Sequence, residues 1–124
     1  MKISIALITV ALLFSCSAKK NNATISESTY GYTQKNPIKV GGDLNGPVNE
    51  RKYLNSLSGP NGERVFFNRQ GSCCSFDSKN SSFGGGMLDK YSVYYEGIKD
   101  TATFYINMYD KERLKAPIGF KFKN

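Results

Sequence analysis

The sequence predicts a small α+β domain: a twisted antiparallel sheet of about four strands packed on one helix, preceded by a signal peptide and a flexible tether. Three observations carry that reading. Residues 47–58 hold one helical apolar stripe, residues 90–96 and 101–110 alternate in the manner of strands, and clusters of Gly, Pro, Asn and Ser separate these runs. The chain is 124 residues long, which leaves room for a single domain of roughly 95 residues after the leader and tether.

The first fifteen residues, MKISIALITVALLFS, place Lys2 ahead of an unbroken apolar run from Ile3 to Phe14. A spanning helix needs about 20 apolar residues, so residues 1–15 read as a secretory signal. Leu13, Phe14, Ser15 and Cys16 resemble the lipobox of bacterial lipoproteins. That resemblance implies cleavage before Cys16, diacylation of its thiol and acylation of the new amine, which meets the two-signal requirement for stable anchoring. Ser17 stands where an aspartate commonly retains such proteins at the inner membrane, so the resemblance implies a lipid anchor in the outer membrane, with the periplasmic or surface side left open. A plain secreted chain with a free Cys16 is the alternative. Residues 16–29, CSAKKNNATISEST, are polar and read as the tether.

The domain proper occupies residues 30–124. PIKV, Pro37 to Val40, is a short extended piece that runs into the breakers GGDLNGP. Pro47 suits the first turn of a helix, and Tyr53, Leu54 and Leu57 form its apolar stripe until Gly59-Pro60 ends it. PNGE, 60–63, is a turn, and Glu63 to Arg69 reads as a strand. Residues 71–86, GSCCSFDSKNSSFGGG, read as a long irregular loop, and such loops tend to carry function. Two strands follow, Lys90 to Glu96 and Thr101 to Asp110, joined as a hairpin through Gly97 to Asp100. The last piece, APIGFKF, reads as an edge strand or extended arm.

Charge and composition remove several function classes. Without Lys2 the chain has 16 Lys plus Arg against 10 Asp plus Glu, a charge of about +6, with a local excess at Lys111, Arg113, Lys115, Lys121 and Lys123. The basic residues are otherwise scattered, so no nucleic-acid partner is read; anionic lipid, lipopolysaccharide or cell-wall carboxylates suit the charge, as does a simply solvated surface. The chain has no histidine, which removes the commonest general base, the usual zinc ligand and the Ser-His-Asp and Cys-His arrangements. Carboxylate pairs remain possible among Glu50, Glu63, Asp77, Asp89, Glu96, Asp100, Asp110 and Glu112, but no spacing singles out an acid and a base, and nearly all of them read as surface charge. The triple glycine at 84–86 lacks the Lys-Ser/Thr and helix of a phosphate-binding loop. No cofactor is read.

With Cys16 assigned to the anchor, Cys73 and Cys74 remain. In an oxidising envelope they are packed thiols with at least one free, a vicinal disulfide, a bond to a partner chain, or part of a metal site. Adjacent Cα atoms lie about 3.8 Å apart, shorter than disulfides prefer, so a vicinal bond makes a strained ring that is easily reduced. A metal site would need further ligands, for which Met87, Met108, Asp77 and Asp89 are the candidates and copper(I) the best-suited ion. Tyr91, Tyr94, Tyr95, Tyr105 and Tyr109 on adjacent strands form an aromatic surface on at least one side of the sheet. They serve either as strand fillers or as a platform for a sugar ring or a partner protein. Asp100-Thr101-Ala102 resembles a short acceptor for O-glycosylation in Bacteroidota.

Together the lipobox, YGYTQKNPIKVGG, NERKYLNSLSGPNGE, GSCCSF, GGGMLDKYSVYYEG and INMYDKERLKAPIGFKF resemble a family of short lipoproteins from Bacteroidota, over Tyr30 to Phe122. The resemblance brings no catalytic residues with it. Some relatives carry the label 2-dehydro-3-deoxyphosphooctonate aldolase, an enzyme built on a (β/α)₈ barrel of about 250 residues, more than this chain supplies. The leading expectation is a membrane-anchored, non-enzymatic envelope lipoprotein that binds or scaffolds an envelope protein or glycan. Its contact surface is the 71–86 loop and the tyrosine face. The alternatives are a thiol redox protein using Cys73 and Cys74 and, last, the labelled aldolase.

Overall fold

The computed structural model describes residues 27–124. The expected signal peptide, the expected anchor Cys16 and the expected tether up to residue 26 lie outside the described residues. Residues 27–29 are helical and lead to Tyr30, which is buried. The elements then run β1 (Ile38–Lys39), α1 (Gly46–Asn55), β2 (Leu57–Ser58), β3 (Val65–Asp77), β4 (Gly85–Tyr95), β5 (Ala102–Asn107) and β6 (Lys121–Phe122). The α+β class is as the sequence predicts.

The main sheet has four strands in the order β1-β5-β4-β3. It is mixed, because β1 runs parallel to β5, with Ile38 opposite Ile106 and Lys39 opposite Asn107. This corrects the all-antiparallel expectation: alternation reports which face a side chain takes but not the direction of its neighbour strand. β3–β4 and β4–β5 are antiparallel as expected.

The largest correction concerns residues 71–86. Most of this segment is strand: β3 continues through both cysteines to Asp77, paired with β4 back to Gly85, and only 78–84 form the connection. Register shifts between Arg69 and Gly71 and between Cys73 and Ser75 mark bulges at Gln70 and Cys74. Each bulge adds a residue and resets the alternation, so the two-residue period by which a strand is read in sequence is broken twice within β3.

Pro47 sits in the first turn of α1, and the helix buries Glu50, Tyr53 and Leu54. It ends at Asn55 and not at Ser58. Leu57 and Ser58 pair instead with Phe122 and Lys121 as a second, two-stranded sheet, which is where the C-terminal arm goes. A fully buried Leu57 continues the apolar stripe of the helix, so its strand conformation is invisible to helical periodicity. Tertiary pairing decides it.

The sheet has two unlike faces. Tyr91 and Val93 of β4 and Phe104 and Ile106 of β5 point inward, where they join Ile38, Tyr53, Leu54 and Leu57 in one core. The ring of Phe104 meets Tyr32 and Phe120 edge-on at centroid distances of 5.3 and 5.1 Å. The segment after β5 closes over this core. The Tyr53 hydroxyl donates to the Lys115 carbonyl at 2.6 Å, and the Lys115 N–H donates to the Tyr30 hydroxyl at 3.4 Å. Burial pushes the Tyr30 hydroxyl up to about 12, so it remains protonated. The alternate positions, Ser92, Tyr94, Thr103 and Tyr105, with Phe66 and Asn68 of β3, take the outer face; none of them is buried. No helix among the described residues is long and apolar enough to cross a membrane.

Candidate functional site

The outer face carries the aromatic surface, with a different membership from that read in the sequence. Tyr94 stacks on Phe66 directly across from it, centroids 5.2 Å apart and planes 19° apart, and the Arg64 guanidinium lies 5.0 Å from the Phe66 centroid. Tyr105 stands further along, opposite Lys90. Between them lie amides and hydroxyls: the Gln70 side chain donates to the Ser92 hydroxyl at 3.3 Å and to the Asn68 carbonyl at 3.4 Å. Rings beside side-chain donors and acceptors make a surface able to hold a ligand with apolar faces and polar edges.

The other three tyrosines lie elsewhere. Tyr91 is buried on the inner face. Tyr95 packs edge-on against Phe120 at 5.6 Å. Tyr109, beyond the end of β5, lies 5.9 Å from the Phe76 ring and over Gly86, where a Cβ would come within 2.3 Å of the tyrosine ring. Gly86 is therefore glycine for space. Phe66 escaped the sequence reading because ERVFFNR alternates imperfectly and does not say which of its two phenylalanines faces out.

Cys73 and Cys74 sit together in β3, half-buried, with their sulfurs 2.20 Å apart, a disulfide distance. Cys73 lies opposite Leu88 and Ser75 opposite Met87, so Cys74 is the extra residue of the bulge. Its φ of +58° makes it the one non-glycine residue in the left-handed region among those described. A single L-residue there costs about 1–2 kcal/mol, and the bulge and the sulfur link hold it in place. Among the described residues no group of three or more His, Cys, Asp and Glu is placed to hold a metal. Met87 is half-exposed, and Met108 packs against Gly46.

Two carboxylates read as surface charge are buried. Glu50 of α1 is 1% exposed and Asp89 of β4 is 3% exposed. Glu50 Oε2 accepts the Tyr91 hydroxyl at 2.8 Å, while Oε1 has no hydrogen-bond donor. Asp89 Oδ1 accepts from Arg69 Nη2 at 2.9 Å and from the Ser72 hydroxyl at 2.7 Å. Burial pushes the Glu50 carboxyl up to about 8, and the nearby Asp89 charge adds to the shift against the Tyr91 hydrogen bond. Glu50 is accordingly neutral at pH 7, and its proton gives the otherwise unpartnered side of the carboxyl a donor to turn toward Asp89. The cluster ties α1 to β3 and β4, with its two carboxylates buried and Arg69 and Ser72 at the surface.

The 78–84 connection is fixed to the end of β5. Asp110 accepts from the Ser78 hydroxyl at 2.5 Å and from the Asn80 and Asn107 amides at 2.9 Å each. Burial alone would raise the Asp110 carboxyl, but these three hydrogen bonds and the Lys39 charge outweigh it and hold the group below its ordinary value. Leu44 and Phe83, the latter on this connection, are almost fully exposed.

No family model, no curated protein and no solved structure matches the chain.

Proposed function

We propose that this chain is a lipid-anchored envelope protein, held at the outer membrane through Cys16, whose domain binds another envelope component and transforms none. The observation that carries the binding reading is the open outer face, where the Phe66–Tyr94 stack, Tyr105, Asn68, Gln70 and Ser92 remain uncovered by the helix. The anchor rests on the Leu13 to Cys16 lipobox resemblance. The partner is a protein or a glycan, the two classes for which a ring-and-amide surface is suited. A photo-crosslinking side chain placed at Tyr94 or Tyr105 in the native envelope is expected to give a discrete adduct, and one at Arg51, on the exposed side of α1, is not. Adducts from Arg51 with none from the sheet would overturn the assignment.

A thiol redox role is the second reading, resting on the adjacency of Cys73 and Cys74 at the bulge of β3. Reduction by a dithiol would cleave that bond, leave two thiols on this chain and a disulfide on the donor, and transfer two electrons and two protons. The intact mass of the chain purified from its membrane, alkylated before and after reduction, reads both proposals together. Acyl chains on Cys16 with two alkyl groups added only after reduction are the expected result; two alkyl groups added to the folded, unreduced chain would remove the redox reading. The aldolase reading draws no support from a four-stranded mixed sheet with one parallel pair, since the barrel of that enzyme has eight parallel strands.

A further inference from the structure

We propose that a cleft on the helix side of the domain, apart from the aromatic face, binds a phosphate ester through Lys52 and Lys111. The cleft has a volume of about 340 Å³, within the range of small-ligand sites. One wall is a stripe of α1 and its C-terminal cap, Asn49, Lys52, Tyr53 and Ser56, at the i, i+3, i+4, i+7 spacing that shares a helix face. The other wall is Lys39 to Gly41 together with Lys111 and Glu112. That wall is fixed by the Val40–Lys111 bridge, by the Val40 N–H donating to the Asn107 carbonyl at 2.9 Å and by the Gly41 N–H donating to the Asp110 carbonyl at 2.8 Å.

Two lysines, Lys52 of α1 and Lys111 after β5, thus line one cleft from separate parts of the chain, while Lys39 contributes its backbone, since Ile38 and Val40 on either side of it point into the core. Neither lysine has a carboxylate within ion-pairing distance: the salt bridge formed among the described residues is Arg69–Asp89. The two acids of the lining are used differently. Asp43 Oδ1 accepts the Asn45 N–H at 2.8 Å and the Asn49 amide at 2.9 Å, and Glu112 Oε1 accepts the Lys39 backbone N–H at 3.1 Å. Both carboxylates therefore brace the walls and leave the lysines unpaired. Those two hydrogen bonds hold the Asp43 carboxyl below its ordinary value, and the charges of Lys111 and Lys52 add to the effect.

One lysine is also positioned in advance. The stem of Lys111 lies on Gly42, whose φ is +116° and where a Cβ would come within 2.7 Å of Lys111 Cδ. The missing side chain at residue 42 is what lets the lysine lie there. Two point-charge donors on facing walls can each take a different oxygen of one phosphate, and lysine is a habitual phosphate binder. A phosphate in the envelope is either a free ester or the headgroup of a membrane lipid, and both present the same chemistry to the cleft.

The test uses the full chain in detergent or reconstituted in vesicles. Glycerol phosphate is titrated calorimetrically in solution, and vesicles of phosphatidylglycerol are compared with vesicles of phosphatidylcholine. Saturable binding is expected to weaken about tenfold or more in Lys52→Gln and Lys111→Gln, the loss of one charge-assisted hydrogen bond, and to be unchanged in Lys121→Gln, which lies on β6 away from the cleft. Binding of the soluble ester assigns the free source, and binding confined to phosphatidylglycerol assigns the headgroup; either supports the site. Equal weakening by Lys121→Gln would reduce the effect to diffuse charge and overturn the proposal, as would absence of saturable binding in both arms or equal affinity for malonate.

Discussion

Replacing Glu50 by Gln is expected to remove most of the change in stability between about pH 4.5 and pH 8. In the folded chain burial beside Asp89 keeps the Glu50 proton up to about 8, whereas the ordinary value of the group is 4.5. Between those two values the folded state holds more protons than the unfolded state, so stability falls as pH rises, by up to about 1.4 kcal/mol per pH unit. The contribution is complete below 4.5 and is lost as pH passes about 8. Asp43 and Asp110 act with the opposite sign and at lower pH, because both are held below their ordinary 3.8. Tyr30, Tyr53 and Tyr91 are raised from an ordinary 10.0 and titrate above the window. Tyr91 and Asp89 face the carboxyl, Arg69 and Ser72 hold Asp89, and all four stay in place in the Gln variant. Gln keeps an acceptor for the Tyr91 hydroxyl and offers Asp89 a permanent N–H. Urea midpoints at about pH 5, 7 and 9 check this: the parent chain should weaken across the series and the Gln variant should not. Parallel curves would mean that Glu50 is ionised in the folded state.

The burial of Glu50 is written in the helical stripe itself. Residues 50, 53, 54 and 57 stand at i, i+3, i+4 and i+7, so the stripe that marked Tyr53, Leu54 and Leu57 as core also placed Glu50 there. A carboxylate at a core position is the signal, and it runs against the general rule that acids are mostly exposed. Asp89 carries the same signal in strand form, two residues before Tyr91 and four before Val93 on the inner face of β4. The helix start at Pro47, the alternation of β5 and the α+β class were all legible because each rests on local pattern. The far half of β3 was not, since its bulges at Gln70 and Cys74 reset the period and its Gly and Ser content looks like a loop. The pairing of Leu57 with Phe122 and of Ile38 with Ile106 joins residues more than sixty positions apart, which no window of sequence reports. The outer face was legible in kind, as tyrosine-rich strands, but not in membership: Tyr91 and Tyr95 fall inward by parity, whereas Phe66 faces out only because of its register with Tyr94.

Parity also sets the second large expected effect, the contrast between two neighbouring residues of β5. Phe104→Ala should cost about 3–5 kcal/mol, the usual range for a buried phenylalanine. Phe104 is fully buried and lies opposite Tyr91, and its ring is held edge-on between Tyr32 and Phe120. Truncation would leave a void bounded by the sheet, by Tyr32 and by Phe120 of the C-terminal segment, which a close-packed interior cannot fill without moving all three. A domain of this size has about 5–15 kcal/mol in total, so the variant should unfold at a much lower denaturant concentration. Tyr105→Ala, one residue on and on the outer face, should cost about 1 kcal/mol, the centre of the distribution for substitutions of mixed burial. Denaturant midpoints of the two variants measure the contrast. If Tyr105→Ala cost as much as Phe104→Ala, Tyr105 would be part of a packed layer, and the outer face would not be free to receive a partner. A small loss at Tyr105 leaves a folded chain in which removal of that ring tests binding alone, so the stability contrast decides whether the crosslinking result at Tyr105 can be read as recognition.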